Sequence, residues 1–145
     1  MSPHPALKAS NAAVLTGAGI GGIGYSVAHL LLTRYQLRVL LVDISAPALF
    51  AAQKALIAAG AKEEDILTRV VDVSNAAEVF ELADYAFETF GKVDFLLLNA
   101  GVQVPTKDFV EGGDLENWTK TLGVNLFGVL HGTQVSGGGA GRGRC

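Results

Sequence analysis

The sequence predicts an α/β protein: a three-layer, doubly wound parallel sheet whose first four strands lie in the order 3-2-1-4. Three observations carry that prediction. Short apolar runs alternate with helical apolar patterns from Ala12 to about Gln134. The run Leu37 to Ile44 is nearly continuous in apolar residues, as a strand buried on both sheet faces must be. The cluster Thr16-Gly17-Ala18-Gly19-Ile20-Gly21-Gly22-Ile23-Gly24 separates the first apolar run from the first helical pattern.

Taken in order, Ala12 to Leu15 reads as the first strand, and Tyr25 to Tyr35 as a helix with a broad apolar face. Leu37 to Ile44 is the second strand. Ser45 can cap the next helix, Ala46 to Ala59, with Pro47 in its first turn and Gly60 ending it. Ile66 to Val73 is the third strand, and Thr68 and Arg69 place it toward the sheet edge. Ser74 or Asn75 caps a helix in which Val79, Phe80, Ala83, Ala86, Phe87 and Phe90 recur at helical spacing, and Gly91 ends it. Val93 to Leu98 is the fourth strand, Asn99-Ala100-Gly101 turns the chain out of it, and Gln103 to Gly113 is a loop. Leu115 to about Gln134 reads as one more helix, weakened locally by Gly123 and Gly128 unless another element packs close there.

At 145 residues, half of them hydrophobic, the chain can bury one sizeable core. A net charge of -3 gives no basic field for nucleic acid or an anionic membrane surface. No apolar run approaches a membrane span, and the N-terminus lacks a signal-peptide pattern. Cys145 is the only cysteine, which excludes an internal disulfide and agrees with a cytoplasmic setting. His4, His29 and His131 lack zinc-ligand spacing, so no metal is expected.

In a doubly wound sheet, ligand sits at the carboxyl ends of the strands where the order reverses. The glycine cluster, Asp43, Asp72 and Asn99 all fall at predicted carboxyl ends. Glycines let backbone approach a phosphate closely, and a following helix points its first N–H groups at it. The pattern G-x-G-x-x-G fits twice, as Gly17, Gly19 and Gly22 or as Gly19, Gly21 and Gly24. Asp43 is placed to accept from both ribose hydroxyls of an adenosine, or merely to end a strand and cap a helix. In the first case a 2′-phosphate would face a carboxylate with no nearby arginine, which favours NAD over NADP. Asp72 can accept from the adenine amine or cap the next helix. Asn99-Ala100-Gly101 can lie against a nucleotide ribose or form an ordinary turn.

Residues 12–135 resemble the first half of a short-chain dehydrogenase/reductase, a partial Rossmann-type NAD-binding domain between an N-terminal tail (1–11) and a Gly/Arg-rich tail (136–145). Four motifs match in order: Thr16-Gly17 with Gly22-Ile23-Gly24, Asp43, Asp72-Val73, and Asn99-Ala100-Gly101. Val124-Asn125-Leu126-Phe127-Gly128 resembles part of the family's fourth helix. The resemblance implies that the glycines, Gly19 included, hold the pyrophosphate. It implies that the Asn-Ala-Gly turn supports sheet and ribose, and that Asn125 is catalytic, helping a proton-relay water. It further implies hydride transfer between nicotinamide and an alcohol or carbonyl substrate, and a homodimer through the helix 115–134, with aggregation as the alternative.

Two departures stand out. Four residues rather than the family's three separate Thr16-Gly17 from Gly22-Ile23-Gly24, so a slightly wider phosphate loop is expected. The family's catalytic serine and its tyrosine followed four residues later by lysine have no match: His29, Val39 and Thr89 stand four residues after Tyr25, Tyr35 and Tyr85, and Ser136 comes too early. Residues 136–145 have almost no apolar content and read as a disordered tail. The chain is thus expected to be truncated before its acid/base residues and inactive alone, or to be a non-catalytic nucleotide-binding or dimerising fragment. His131 is expected on a helix surface, and no residue names a substrate.

Overall fold

Side chains of a strand alternate between the two faces of its sheet, and the core divides accordingly. In the computed structural model, which describes residues 4–104 and 115–136, the strands are β1 (Ala12–Thr16), β2 (Arg38–Asp43), β3 (Ile66–Val70) and β4 (Phe95–Leu98). They form one parallel sheet in the order β3-β2-β1-β4. The register sets Val14 beside Leu40 on one flank and beside Leu96 on the other. Ala13, Leu15, Val39, Leu41, Phe95 and Leu97 share one face with α1 (Ile23–Thr33) and α2 (Ala46–Ala58). Val14, Leu40, Val42 and Leu96 share the other with α3 (Ala76–Phe90) and the last helical segment. Leu15, Leu40 and Leu41 are fully buried, and truncating such a leucine to alanine costs about 2–5 kcal/mol.

Several boundaries differ from the expected ones for local reasons. α1 starts at Ile23 instead of Tyr25, because Gly22 already serves as its N-cap. It ends before Tyr35, where Gln36 adopts φ 56° and the Leu37 N–H turns back to the Leu31 carbonyl. β3 stops at Val70 and not Val73: its partner β2 ends at Asp43, whose carbonyl accepts the Val71 N–H at 3.1 Å as the last link. Ser45 Oγ caps α2, accepting from Ala48 N–H, and Asn75 Oδ1 caps α3, accepting from Ala77 N–H. Residues 4–11 are tied to the domain. Pro5–Leu7 form a short 3-10 turn, the Asn11 amide donates to the Pro5 carbonyl, and Leu7 packs on the α1/α2 side of the core.

The helix expected over 115–134 is α4 (Leu115–Leu122), a π-helical turn (Gly123–Phe127) and α5 (Gly128–Ser136). The two glycines bracket the π turn. A Cβ on Gly128 would meet Val73 Cγ2 at 2.8 Å, and a Cβ on Gly132 would strike the Leu98 side chain. Small residues are what allow α5 to lie this close to the sheet. His131, expected on the helix surface, is half-buried, with Nδ1 3.0 Å from the Val73 carbonyl. The remainder of the expected loop (105–113), residues 1–3 and the tail residues 137–145 lie outside the described residues. Among the described residues no helix is long and apolar enough to cross a membrane.

Asp94 joins the start of β1 to the entry of β4. The Ala12 N–H donates to Oδ2 at 3.0 Å, and Lys92 Nζ lies 2.7 Å from Oδ1. Burial opposes the charge on Asp94, but the Lys92 hydrogen bond, the Ala12 amide and the ammonium charge together hold its carboxyl below the ordinary carboxylate value. A carboxyl depressed in this way adds stability above its unfolded pKa and loses it as pH falls through the folded value. Asp94→Asn should therefore lower the urea midpoint at neutral pH, and its deficit relative to wild type should close on acidification. An unchanged deficit at acid pH would contradict the linkage.

Candidate functional site

β1 and β4 run side by side to Thr16 and Leu98 and then separate, β1 into the glycine loop and β4 into Asn99-Ala100-Gly101. The backbone groups stranded at that fork need partners. Thr16 supplies them. Its Oγ1 accepts from the Asn99 N–H at 3.0 Å and the Ala100 N–H at 3.1 Å, and its hydroxyl donates to the Leu97 carbonyl at 3.4 Å. The Asn99 amide returns the tie, donating to the Thr16 and Gly17 carbonyls at 3.3 and 3.1 Å. Asn99 therefore braces the fork through its side chain.

Gly17 takes φ +64°, and a Cβ there would meet Ala100 Cα at 2.8 Å. The residues after it are stitched to β2 and α2. Ala18 N–H donates to the Val42 carbonyl at 3.0 Å, Gly19 N–H to Asp43 Oδ2 at 2.9 Å, and Ile20 N–H to the Ala48 carbonyl at 3.2 Å. The four-residue interval Ala18 to Gly21 closes as a turn, Gly22 N–H to the Gly19 carbonyl at 3.4 Å, with Gly21 at φ +84°. Ile23 opens α1 and is largely exposed. Gly24 is buried, with space for a Cβ denied by the Gly17 carbonyl. The first N–H groups of α1, at Ile23, Gly24 and Tyr25, have no acceptor within the helix.

Asp43 faces this loop. Oδ1 accepts from the Ser45 N–H at 3.0 Å while Oδ2 accepts from Gly19, so the carboxylate sets the distance between the glycine loop and the α2 N-terminus. Gly17, Gly19, Gly22, Ile23, Asp43 and Asn99 border a common cleft of about 400 Å³. An adjoining cavity of about 130 Å³ lies among Ile44, Asp72, Val73, Ala100 and Val124, again with Asp43 and Gly101 at its wall. Asp72 lines that cavity and also caps the chain: its Oδ1 accepts from the Ser74 N–H and hydroxyl, and its own N–H donates to Glu78 Oε2. A third cavity, of about 250 Å³, lies between α3, β4 and α5 and is walled mostly by side chains such as Leu82, Phe87 and Leu96.

Asn125 sits in the π turn. Its Oδ1 accepts from the Val102 N–H and its amide donates to the Val102 carbonyl, both at 2.8 Å. The side chain clamps the strip that leaves Gly101. Sequence reasoning missed Ala48, Val102 and His131. Ala48 and Val102 act through their backbone, which leaves no trace in residue type. His131 had a signal, a ring one helical turn after Phe127, but its partner is a carbonyl far off in sequence. Among the described residues no group of three or more His, Cys, Asp or Glu is arranged to hold a metal ion.

Comparison with known proteins agrees with this arrangement. The family description short chain dehydrogenase matches residues 11–136. The 3beta-hydroxysteroid dehydrogenase 2 of Eggerthella lenta is 34% identical over 131 residues, covering 90% of this chain and 48% of that protein. A solved short chain dehydrogenase/reductase from Burkholderia phymatum in complex with NAD superposes with a TM-score of 0.77 at 38% identity, over 88% of this chain and 43% of that one. A variant actinorhodin polyketide ketoreductase with NADPH superposes with a TM-score of 0.76 at 30% identity, over 88% and 46%. The chain spans about half the length of the curated relatives it matches.

The fork at Thr16 is open to a direct test. Thr16→Val keeps the shape but leaves two amides without their acceptor, which should cost about 1–3 kcal/mol of stability in urea denaturation. Thr16→Ser should keep most of it. Equal stability of the valine and serine variants would show that the hydroxyl does not hold the fork.

Proposed function

Because this chain belongs to the short-chain dehydrogenase family, we propose that it binds a nicotinamide dinucleotide, NAD in preference to NADP, in the cleft between the glycine loop and β4, as the cofactor half of an alcohol/carbonyl oxidoreductase. The observation that carries the proposal is the Asp43 carboxylate held against the Gly19 N–H on the rim of that cleft. The residues present fit the group. The loop offers backbone where a Cβ at Gly17 would collide, and the α1 amides point their dipole end at the same space.

In this proposal the pyrophosphate lies over Gly17, Gly19, Gly22, Ile23 and Gly24, with Thr16 holding the loop in place. The ribose hydroxyls donate to Asp43, and adenine enters the small cavity lined by Asp72, Val73 and Val124. Asn99, Ala100 and Gly101 line the way toward the nicotinamide end. A bound nicotinamide supplies hydride acceptance or donation at its C4. The chain's own part is to bind, orient and exclude water. Two unit charges about 4 Å apart near a protein surface repel by about 4 kcal/mol. That exceeds the roughly 1 kcal/mol of one hydrogen bond, so a 2′-phosphate beside Asp43 is disfavoured.

Within these 145 residues no tyrosine is followed four residues later by a lysine, and by itself the polypeptide is proposed to bind rather than turn over. Asn125, by fixing Val102, is proposed to support the proton relay of the complete reaction. Leu122, Leu126, Phe127 and Leu130 are all exposed along the helix 115–134. A second copy of the chain is proposed to cover them, in a cytoplasmic setting consistent with the lone Cys145.

Thermal unfolding with and without nucleotide tests the proposal. A ligand at about 100 times its Kd stabilises the native state by about 2.7 kcal/mol, so NAD should raise the Tm, NADP should raise it less, and Asp43→Ala should narrow the difference between them. No shift at millimolar NAD would sink the binding site. A measurable rate from the pure chain with any alcohol or ketone would overturn the assignment of binding without turnover.

A further inference from the structure

We infer that His131 is a positioning residue for the adenine end of the cleft, acting through Val73; the inference rests on the nucleotide-binding function proposed above. A carbonyl oxygen can only accept, so the contact of 3.0 Å requires His131 to donate from Nδ1–H to the Val73 carbonyl. Val73 lies past the end of β3, where the ladder to β2 has stopped and no sheet partner holds it. Val73 lines the small cavity with Asp72 and Val124.

α5 grips Val73 from two directions. The His131 ring takes its carbonyl, and Gly128 lets the helix backbone press on its side chain, where any Cβ would meet Cγ2 at 2.8 Å. Val124, one turn earlier on the same helical segment, forms another part of the cavity wall. Phe127 sits beside the imidazole, ring centroids 6.4 Å apart. Val73 is thus held, and Val124 carried, by the segment that bears His131. Asp72 caps the turn from the other side, so the Val73 carbonyl is the open end that His131 closes. Loss of the bond frees the strip Asp72-Val73 and blurs the wall against which adenine would stack.

The experiment uses the full chain with AMP and ADP-ribose as probes. In nitrogen-15 imidazole NMR at a pH where the ring is neutral, the wild-type His131 should carry its proton on Nδ1, and its signals should move when ADP-ribose is added. His131→Leu should weaken AMP and ADP-ribose binding by the same factor, roughly fivefold for one lost hydrogen bond. His131→Asn puts an amide N–H near the position of Nδ1 and should bring affinity back to within about twofold of wild type. A lower Tm with unchanged affinity would mark His131 as merely structural and overturn the inference, as would a bare Nδ1 in the wild-type spectrum. If the leucine variant does not fold, the NMR signature and the asparagine variant decide. Failure of the wild-type chain to bind ADP-ribose at all would instead sink the nucleotide-binding reading.

Discussion

At the fork between β1 and β4, one hydroxyl answers for two amides that the parting strands leave behind. The rest of the cleft depends on that arrangement. A parallel sheet reversing its strand order must open a crevice there, and the backbone groups along the crevice lose their ladder partners. Thr16 and Asn99 satisfy them with side chains, which leaves the glycine backbone free to form the floor. An apolar residue at either position would leave polar backbone unsatisfied, and larger residues at Gly17 would push into Ala100.

The glycine loop is ordered by what surrounds it more than by its own composition. Its amides at Ala18, Gly19 and Ile20 are spent on β2, Asp43 and α2. Donors for an anion are therefore left to the first turn of α1, whose N–H groups have no intrahelical acceptor. The loop turns at Gly21, in the left-handed region with open space around it. Asp43 links the two halves of this system, since one carboxylate oxygen holds the loop and the other holds the start of α2.

The far wall is built from the α4–α5 segment. The π turn inserts one residue into the helical progression, and at that turn Asn125 reaches the Val102 backbone. The following turn brings Gly128 and His131 onto Val73. A single helical segment therefore touches both the strip after β4 and the strip after β3. The same segment exposes Leu122, Leu126, Phe127 and Leu130 on its outer side.

The alternation of apolar runs and helical patterns was enough to determine the element order and the parallel sheet, because burial on both faces forces a continuous apolar strand such as Val39–Val42. Positions of Thr16, the glycines, Asp43 and Asn99 at the carboxyl ends followed from the same pattern. Strand and helix ends did not: β3 stops where β2 leaves it, and α1 starts at Ile23 because the preceding glycine is extended. The π turn and the grip of His131 on Val73 were also invisible, since residues 58 positions apart meet only through the fold. Sequence carries periodicity and residue chemistry. Which carbonyl lies opposite which side chain is decided by the crossover that brings α5 back over the sheet, and no local pattern encodes that distance.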